Sequence, residues 1–389
     1  MGKKIPYLKI CSVMFGFFIM GFVDIVGVTT SYVKNDFSYL TDSVVNLISL
    51  SCFLWFLVLS IPTGMLMNKI GRKKTVLLSF VIHILAMLLP LFSYHFATIL
   101  VAFALVGIGN TLLQVSLNPL VSDVVHTEKL SGTLTIGQFV KAVSSFLGPI
   151  LVAWGTGSIM GWKAIFPIYA LLSLAALIWL WFVPIKESGP KHNSVSFKTT
   201  FELLKDPYII VFFVAILVLV GVDVSINMTF PKLLMERCDL SIVDAGKGNS
   251  VYFFARTAGA FVGGVLMMKY SEYKFYAYSI WLALLGLLLM LFSQQLWAVF
   301  IATAIFGIGY ANLFSIIFSL ALKRVPEKMN EVSALLISGI FGGAILPPII
   351  GVVTDWFHSQ SAALVLLIVV WLYMIVILKK VKHTKSVQS

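Results

Sequence analysis

Long apolar runs dominate the sequence, and short polar segments separate them. We count twelve runs of roughly 20 residues, the length that an α-helix needs to cross the hydrocarbon core of a bilayer. The predicted spans are 8–33, 44–67, 75–93, 97–121, 133–155, 164–184, 208–231, 246–269, 275–293, 296–321, 332–353 and 361–379. Alternating segments of about ten residues, which would indicate membrane strands, are absent from the sequence. The pattern predicts an all-α membrane protein with twelve transmembrane helices.

Composition agrees with a chain that lies in lipid. Hydrophobic residues make up 59% of the 389 positions and charged residues only 11%, whereas a soluble domain is about one quarter charged. The first run is interrupted by Lys9 and Asp24, and no small-residue cleavage site follows it. We therefore expect a retained first helix and not a signal peptide.

The net charge of +12 reflects membrane topology. With the N-terminus placed inside, nearly all of the excess Lys and Arg falls in cytoplasmic segments, as the positive-inside rule requires. We therefore expect both termini in the cytoplasm and no nucleic-acid partner. Short loops, without glycosylation acceptors at the predicted external sites, favour a bacterial inner membrane.

An internal repeat relates the two halves of the chain. The matched segments are 64–69 with 264–269, 88–93 with 288–293, 102–109 with 302–309, and 23–24 with 222–223. Two sets of six related helices are typical of duplicated secondary transporters. We predict an N-terminal six-helix bundle over 1–184, a cytoplasmic linker over 185–206 and a C-terminal six-helix bundle over 207–389.

The loop between the second and third spans carries a recognisable motif. The segment Gly64-Met-Leu-Met-Asn-Lys-Ile-Gly-Arg-Lys-Lys74 resembles the cytoplasmic signature of the major facilitator superfamily, with Asn68 in place of its usual Asp. Gly64 permits close helix packing, Gly71 permits a tight turn, and Arg72 is placed to bond helix ends in one state of a cytoplasmic gate. An ordinary basic loop is the alternative. The resemblance implies the major facilitator fold, with two pseudo-symmetric six-helix bundles.

Shorter patches resemble the fucose–proton symporter branch of that superfamily. They are Gln114-Val-Ser-Leu-Asn-Pro119 in the fourth span, residues 134–149 in the fifth and Gly342-Gly-Ala-Ile-Leu-Pro-Pro348 in the eleventh. This resemblance implies sugar transport coupled to protons.

The resemblance also implies roles for single residues. Gln138 matches a sugar-contacting glutamine of the branch, and Lys141 stands where the branch has a sugar-contacting asparagine. Gln114 replaces a glutamate that takes part in proton coupling, and glutamine cannot titrate. Val28 replaces the Asp of the first helix, while Asp24 lies four residues earlier on the same helical face.

Four strongly charged side chains lie well inside the predicted spans: Asp24, Lys141, Asp223 and Arg256. A charge at the bilayer centre costs at least about 2.5–3.5 kcal/mol, so such groups usually face a cavity and find partners. Asp223 and Arg256 have similar predicted depths, and a structural ion pair is the alternative to a functional role. For Lys141 we favour contact with the solute. Asp24 and Asp223 are the candidate proton carriers.

Uncharged polar groups complete the predicted solute site. Sugar hydroxyls need paired donors and acceptors together with an aromatic surface. For any single Asn or Tyr, the alternative is a hydrogen bond that joins two helices. The predicted solute-binding residues are Asp24, Gln114, Asn118, Gln138, Lys141, Asn227, Tyr252, Arg256 and Asn312.

These observations predict a secondary transporter that imports a sugar or sugar-like polar solute by alternating access, coupled to protons. The alternatives are an importer of an organic anion such as a sugar acid, held by Lys141 and Arg256, and a drug or metabolite exporter. The sequence contains no phosphate-binding loop and no motif of a hydrolytic enzyme. We therefore expect that the protein is not an enzyme and needs no cofactor. We also expect a monomer whose partners are the solute, a coupling proton and the lipid bilayer.

Overall fold

The computed structural model describes residues 4–124, 127–187, 196–267, 272–325 and 328–386. Helices form nearly all of these segments, and no strand occurs within them. The helices of the first part are α1 (Lys4–Met20), α2 (Val26–Asp36), α3 (Asp42–Val45), α4 (Leu47–Ile70), α5 (Arg72–Phe92), α6 (Phe96–Ser122), α7 (Thr127–Gly155) and α8 (Ile165–Phe182). Those of the second part are α9 (Phe197–Glu202), α10 (Pro207–Cys238), α11 (Ile242–Met267), α12 (Glu272–Phe292), α13 (Leu296–Tyr310), α14 (Leu313–Arg324), α15 (Met329–Ser338), α16 (Gly342–Phe357) and α17 (Gln360–Ser386).

The helices confirm the prediction of an all-α membrane protein. Among the described residues, 11 helical stretches are long and apolar enough to cross a membrane. Helix α11 coincides with the remaining predicted span, 246–269. Large apolar side chains such as Phe92, Trp181, Trp297 and Trp356 are exposed, and a surface of this kind is suited to lipid and not to water.

Four spans that the sequence predicts as single helices are broken in the structure, one of them near its start, where Asn46 lies between α3 and α4. A 3₁₀ turn over Gly21–Ile25 separates α1 from α2, and another over Gly339–Phe341 separates α15 from α16. Ala311 and Asn312 lie between α13 and α14. Glycine has a low helix propensity, which favours breaks at Gly21 and Gly339. Hydropathy predicts the length of an apolar run but not an interruption within it.

Internal contacts divide the chain into two units. Unit 1 contains residues 1–25 and 51–199, and unit 2 contains residues 26–50 and 200–389. The second half of the first predicted span and the start of the second therefore pack with the C-terminal helices. The repeat-based domain bounds 1–184, 185–206 and 207–389 remain a prediction.

Each unit has its own apolar core. In unit 1, α5 packs against α6 and α8, and α1 packs against α7. In unit 2, α12 packs against α13 and α17, and α10 packs against α2, α16 and α17. The large buried side chains include Phe17, Phe56, Phe80, Phe103 and Tyr169 in unit 1 and Phe212, Tyr252, Tyr276, Phe306 and Trp371 in unit 2.

Candidate functional site

In unit 1, the predicted proton carrier Asp24 lies in the 3₁₀ turn between α1 and α2. Its carboxylate is half-buried and accepts a hydrogen bond from the Ser145 hydroxyl on α7. Gly21 makes this approach possible, because a Cβ at that position would lie 2.7 Å from the Lys141 carbonyl oxygen. The break in the first span therefore brings the backbone of α7 close to Asp24.

The other predicted solute-binding residues of unit 1 lie on helices α7 and α6. Lys141 is half-buried one turn before Ser145, and Gln138 is exposed. On α6, Gln114 Nε2 donates to Asn110 Oδ1 at 2.9 Å, and Asn110 Nδ2 donates to the Met20 carbonyl at the same distance. Gln114 thus belongs to a hydrogen-bond network that joins α6 to the end of α1. The side chain of Asn118 lies outside the described residues.

In unit 2, the structure brings Asp223, Arg256, Tyr252 and Asn227 together. Arg256 Nη1 donates to Asp223 Oδ2 at 2.8 Å, and the Tyr252 hydroxyl donates to Oδ1. Asn227 Nδ2 donates to the Asp223 carbonyl at 2.9 Å and lies 3.3 Å from Oδ1. An ion pair between Asp223 and Arg256, which the sequence left as the alternative to a functional role, therefore joins α10 to α11. Tyr252 and Asn227, two of the predicted polar residues, are bonded to the same aspartate.

A second layer of contacts fixes this cluster. The Arg256 guanidinium lies 4.8 Å from the centre of the Tyr310 ring, a cation–π arrangement. Asn249 Nδ2 donates to the Asn227 carbonyl at 2.9 Å. The side-chain oxygens of Asn227 and Asn249 are buried and accept no hydrogen bond within the described part of the chain. These two oxygens leave the cluster with unused capacity to accept hydrogen bonds.

Asn249 was not among the residues predicted to bind the solute, although the sequence carries a signal for it. Asn249, Tyr252 and Arg256 are spaced by three and four residues, which places them on one face of α11. A polar stripe of this kind in an apolar helix is a candidate for solute contact. Asn249, Tyr252 and Arg256 therefore follow one another at intervals of about one helical turn on α11.

Asn312 lies away from this cluster, at the break between α13 and α14. Its Nδ2 donates to the Gly259 carbonyl at 2.8 Å, so it joins the break to α11. It also borders a cavity of about 570 Å³ with a mainly apolar lining that includes Val262, Phe275 and Leu282. Asp223 and Arg256 do not line that cavity.

The predicted cytoplasmic motif forms a charged network in unit 1. Arg72 Nη1 donates to both carboxylate oxygens of Asp123 at 2.8 Å, and the Asp123 side chain is fully buried. The backbone amides of Arg72 and Lys73 donate to the Glu187 carboxylate at 2.5 and 3.0 Å. Asp123 and Glu187 thus supply negative charge beside a motif in which Asn68 replaces the usual Asp. Neither residue was predicted from the sequence to take part in this network. The side chain of Asn68 lies outside the described residues.

Gly71 has the backbone conformation that a tight turn requires. Gly71 precedes α5 with a φ of 94°, a backbone conformation that side chains other than hydrogen rarely adopt. Gly64 is buried within α4. The Glu187 carboxylate covers the N-terminus of α5, where the backbone N–H groups have no partner within the helix.

Comparisons with known proteins identify the family. The model of the Major Facilitator Superfamily matches residues 11–248 and 243–389. A glucose/galactose transporter from Brucella abortus is 26% identical over 360 residues, which cover 87% of this chain and 86% of that protein.

Solved structures share the fold. The E. coli fucose:proton symporter superposes with a TM-score of 0.70 at 16% identity, covering 97% of this chain and 98% of that chain. A bacterial homologue of the human lysosomal transporter Spinster superposes with a TM-score of 0.77 at 16% identity, covering 97% and 96% of the two chains. The chain belongs to the major facilitator superfamily, and it is a multi-pass membrane transporter and not an enzyme.

Proposed function

We propose that this transporter imports a neutral sugar by alternating access and that proton entry drives the import. The observation that carries the choice of a neutral solute is the Asp223–Arg256 pair. Because a carboxylate oxygen lies 2.8 Å from Arg256 Nη1, the cluster offers donors and acceptors without an uncompensated positive charge. A sugar hydroxyl uses such groups well, whereas a carboxylate requires a cation.

The relatives support a sugar as the solute. One is named as a glucose/galactose transporter and another as a fucose:proton symporter. Neutral monosaccharides present several hydroxyls that donate and accept hydrogen bonds. In the unit 2 cluster, the side-chain oxygens of Asn227 and Asn249 can accept from such hydroxyls. In this proposal, Tyr252 and Arg256 donate to the Asp223 carboxylate and thereby fix the positions of the side chains in the cluster.

Asp24 is our preferred proton carrier. Within the described residues its carboxylate accepts a hydrogen bond from one hydroxyl, that of Ser145, and it is half-buried and therefore accessible. Asp223 is instead bonded to a guanidinium and a phenol. Both carboxylate oxygens of Asp223 are therefore engaged by neighbouring side chains, and we assign Asp223 to the binding cluster.

Uptake into liposomes tests this function. The purified protein would be reconstituted with an inward proton gradient, and the uptake of radiolabelled glucose, galactose, fucose and glucuronate would be measured. We expect accumulation of at least one neutral sugar and none of glucuronate. Accumulation of glucuronate alone would contradict the proposal and would favour an organic-anion transporter. Counterflow without a gradient tests transport separately from coupling.

We further propose a bacterial inner membrane with both termini in the cytoplasm. The excess of Lys and Arg in alternate segments supports this orientation. Reporter fusions that are active on one side of the membrane, placed after Ser389 and within the 34–43 loop, test it. Cytoplasmic activity in the loop fusion would contradict the orientation.

A further inference from the structure

The cavity of about 570 Å³ in unit 2 lies between helices α11 and α12. Both helices pack against α13, and within the described residues they pack against α13 more extensively than against each other. Ala258 and Val262 of α11 form one wall, Phe275 and Leu282 of α12 form the other, and Ile308 of α13 also borders the space. The cavity is therefore a gap between two helices that share a common neighbour.

Small residues on α11 shape this gap. A Cβ at position 263 would lie 2.0 Å from Asn312 Nδ2, so α11 meets the break between α13 and α14 directly at Gly263. Ala258 borders the cavity with only a methyl group, and the predicted repeat places Val58 at the corresponding position. The space beside Ala258 thus comes from a residue that differs between the two halves of the chain.

The cavity opens on the exposed face of α12. Tyr278 borders it and is 73% exposed, and Lys274, one turn earlier, also borders it and is exposed. Trp281 and Leu285 continue the same exposed face. A change from lysine through aromatic to aliphatic side chains is typical of a membrane helix that passes from the head-group region into the hydrocarbon. The mouth of the cavity is therefore accessible to lipid.

Two polar side chains of α12 line the cavity at different depths. Lys274 lies in the first turn of α12, which begins on the cytoplasmic side in the predicted topology. Ser279 borders the cavity and is only 6% exposed, and its hydroxyl makes no hydrogen bond within the described part of the chain. Five residues of helix separate the two, about 7.5 Å along the axis at 1.5 Å per residue. The cavity thus has a cation near the membrane surface and an unused hydroxyl deeper in.

We propose that this cavity binds one anionic phospholipid of the cytoplasmic leaflet. Lys274 binds the phosphate, the Ser279 hydroxyl donates to an ester carbonyl, and an acyl chain lies along Val262, Phe275 and Leu282. These groups follow one another in the order of phosphate, ester and hydrocarbon in a phospholipid. A lysine near the membrane surface favours an anionic lipid about fivefold. The site depends neither on the transported solute nor on proton coupling.

The lining of the cavity favours an acyl chain over a polar molecule. A sugar would leave hydroxyls without partners against Val262 and Leu282, and burying such groups unpaired is unfavourable. An empty gap of this size would forfeit the dispersion contacts of its lining. An acyl chain supplies those contacts and needs no hydrogen bonds.

Native mass spectrometry of the full-length protein in detergent tests the site. The delipidated protein would be titrated with phosphatidylglycerol and, separately, with phosphatidylcholine that carries the same acyl chains. We expect the first phosphatidylglycerol to bind with an apparent Kd about fivefold lower than that of phosphatidylcholine. In Lys274→Gln this preference should disappear, with the binding of phosphatidylcholine unchanged.

Ala258→Phe tests the space for the acyl chain. The added ring would occupy the cavity beside Val262, so the first binding event should become at least about tenfold weaker for both lipids. Lys74→Gln is the matched control, because Lys74 is exposed and is the counterpart of Lys274 in the predicted repeat. This variant should keep the wild-type preference for phosphatidylglycerol.

Three results would overturn the proposal. The first is equal affinity of the wild-type protein for the two lipids, and the second is a preference that survives Lys274→Gln. The third is a wild-type dimer that Ala258→Phe converts to a monomer, because the occupant of the cavity would then be a second copy of the chain.

A milder variant guards against a loss of folding. If Ala258→Phe lowers the melting temperature, Ser279→Ala takes its place, because it removes one hydroxyl and fills no space. We expect about threefold weaker binding of both lipids, and unchanged affinity would overturn the proposed position of the lipid. A chain that shows the lipid preference but accumulates no sugar would refute the proposed solute alone.

Discussion

Asp24 and Asp223 are matched, one residue out of step, by the predicted internal repeat, yet their surroundings differ. Asp24 lies in a 3₁₀ turn and accepts from the Ser145 hydroxyl. Asp223 lies in the continuous helix α10 and accepts from Arg256 and Tyr252. The two acidic residues thus have different hydrogen-bond partners.

The difference separates two uses of a buried carboxylate. A carboxylate paired with a guanidinium is compensated and stabilises the contact between two helices. A carboxylate with a hydroxyl donor can change its protonation state without leaving a buried cation unpaired. The first arrangement suits a fixed binding surface, and the second suits a step that takes up and releases a proton.

The largest effect should come from breaking the ion pair. Arg256→Met leaves Asp223 buried without its cation, and losing one partner of such a pair costs about 3–5 kcal/mol. We expect a markedly lower melting temperature in detergent and no measurable uptake. Thermal unfolding of the purified variant, followed by tryptophan fluorescence, measures the loss of stability.

The double variant Asp223→Asn with Arg256→Met is the control for that change. It removes both charges, so most of the melting temperature should return, whereas sugar binding should stay weak. If the double variant is as unstable as Arg256→Met, the cost does not come from an unpaired charge. Full uptake in the double variant would show that the pair only holds α10 to α11.

Asp24→Asn should affect coupling and leave the fold intact. A gradient of one pH unit can drive about tenfold accumulation in a one-proton symporter, and we expect this accumulation to disappear. Counterflow of the sugar should stay within about twofold of wild type, because asparagine resembles the neutral form of the side chain. Accumulation at the wild-type level would remove Asp24 from the proton path.

The sequence predicted the spans well, because hydropathy and helix length are local properties. It also placed Asp223 and Arg256 at similar depths, with a structural ion pair as the alternative to a functional role, and the ion pair is present in the structure. The break at Gly21 was not predictable in this way, because hydropathy carries no information on the close approach of the α7 backbone near Lys141, which requires a glycine at position 21.

The sequence also did not predict which distant residues would bond to residues in the loops. Arg72 was expected to bond helix ends, but neither Asp123 nor Glu187 belongs to the motif. Asp42 was not among the residues that the sequence predicted as functional. Its donors come from positions 232, 354 and 360, and no periodic pattern connects these positions.

Lys141→Asn tests the other charged side chain of the predicted solute site in unit 1. The substitution restores the residue type that the fucose–proton symporter branch has at this position. We expect neutral-sugar uptake to be retained or raised, and any uptake of glucuronate to disappear, because asparagine cannot neutralise a carboxylate. An equal loss of both activities would make Lys141 a structural residue.

The smallest effect should come from Ser145→Ala, compared with Tyr252→Phe. Each removes one hydroxyl donor from an acidic side chain, but Asp223 is buried and Asp24 is half-buried. A hydrogen bond to a buried charge contributes about 1.5–3 kcal/mol, whereas water can replace the donor at Asp24. We therefore expect Tyr252→Phe to lower the melting temperature more than Ser145→Ala, and Ser145→Ala to keep proton-driven accumulation. The reverse order of stability would contradict the distinction between the two carboxylates, since it would make the Asp24 site the more rigid one.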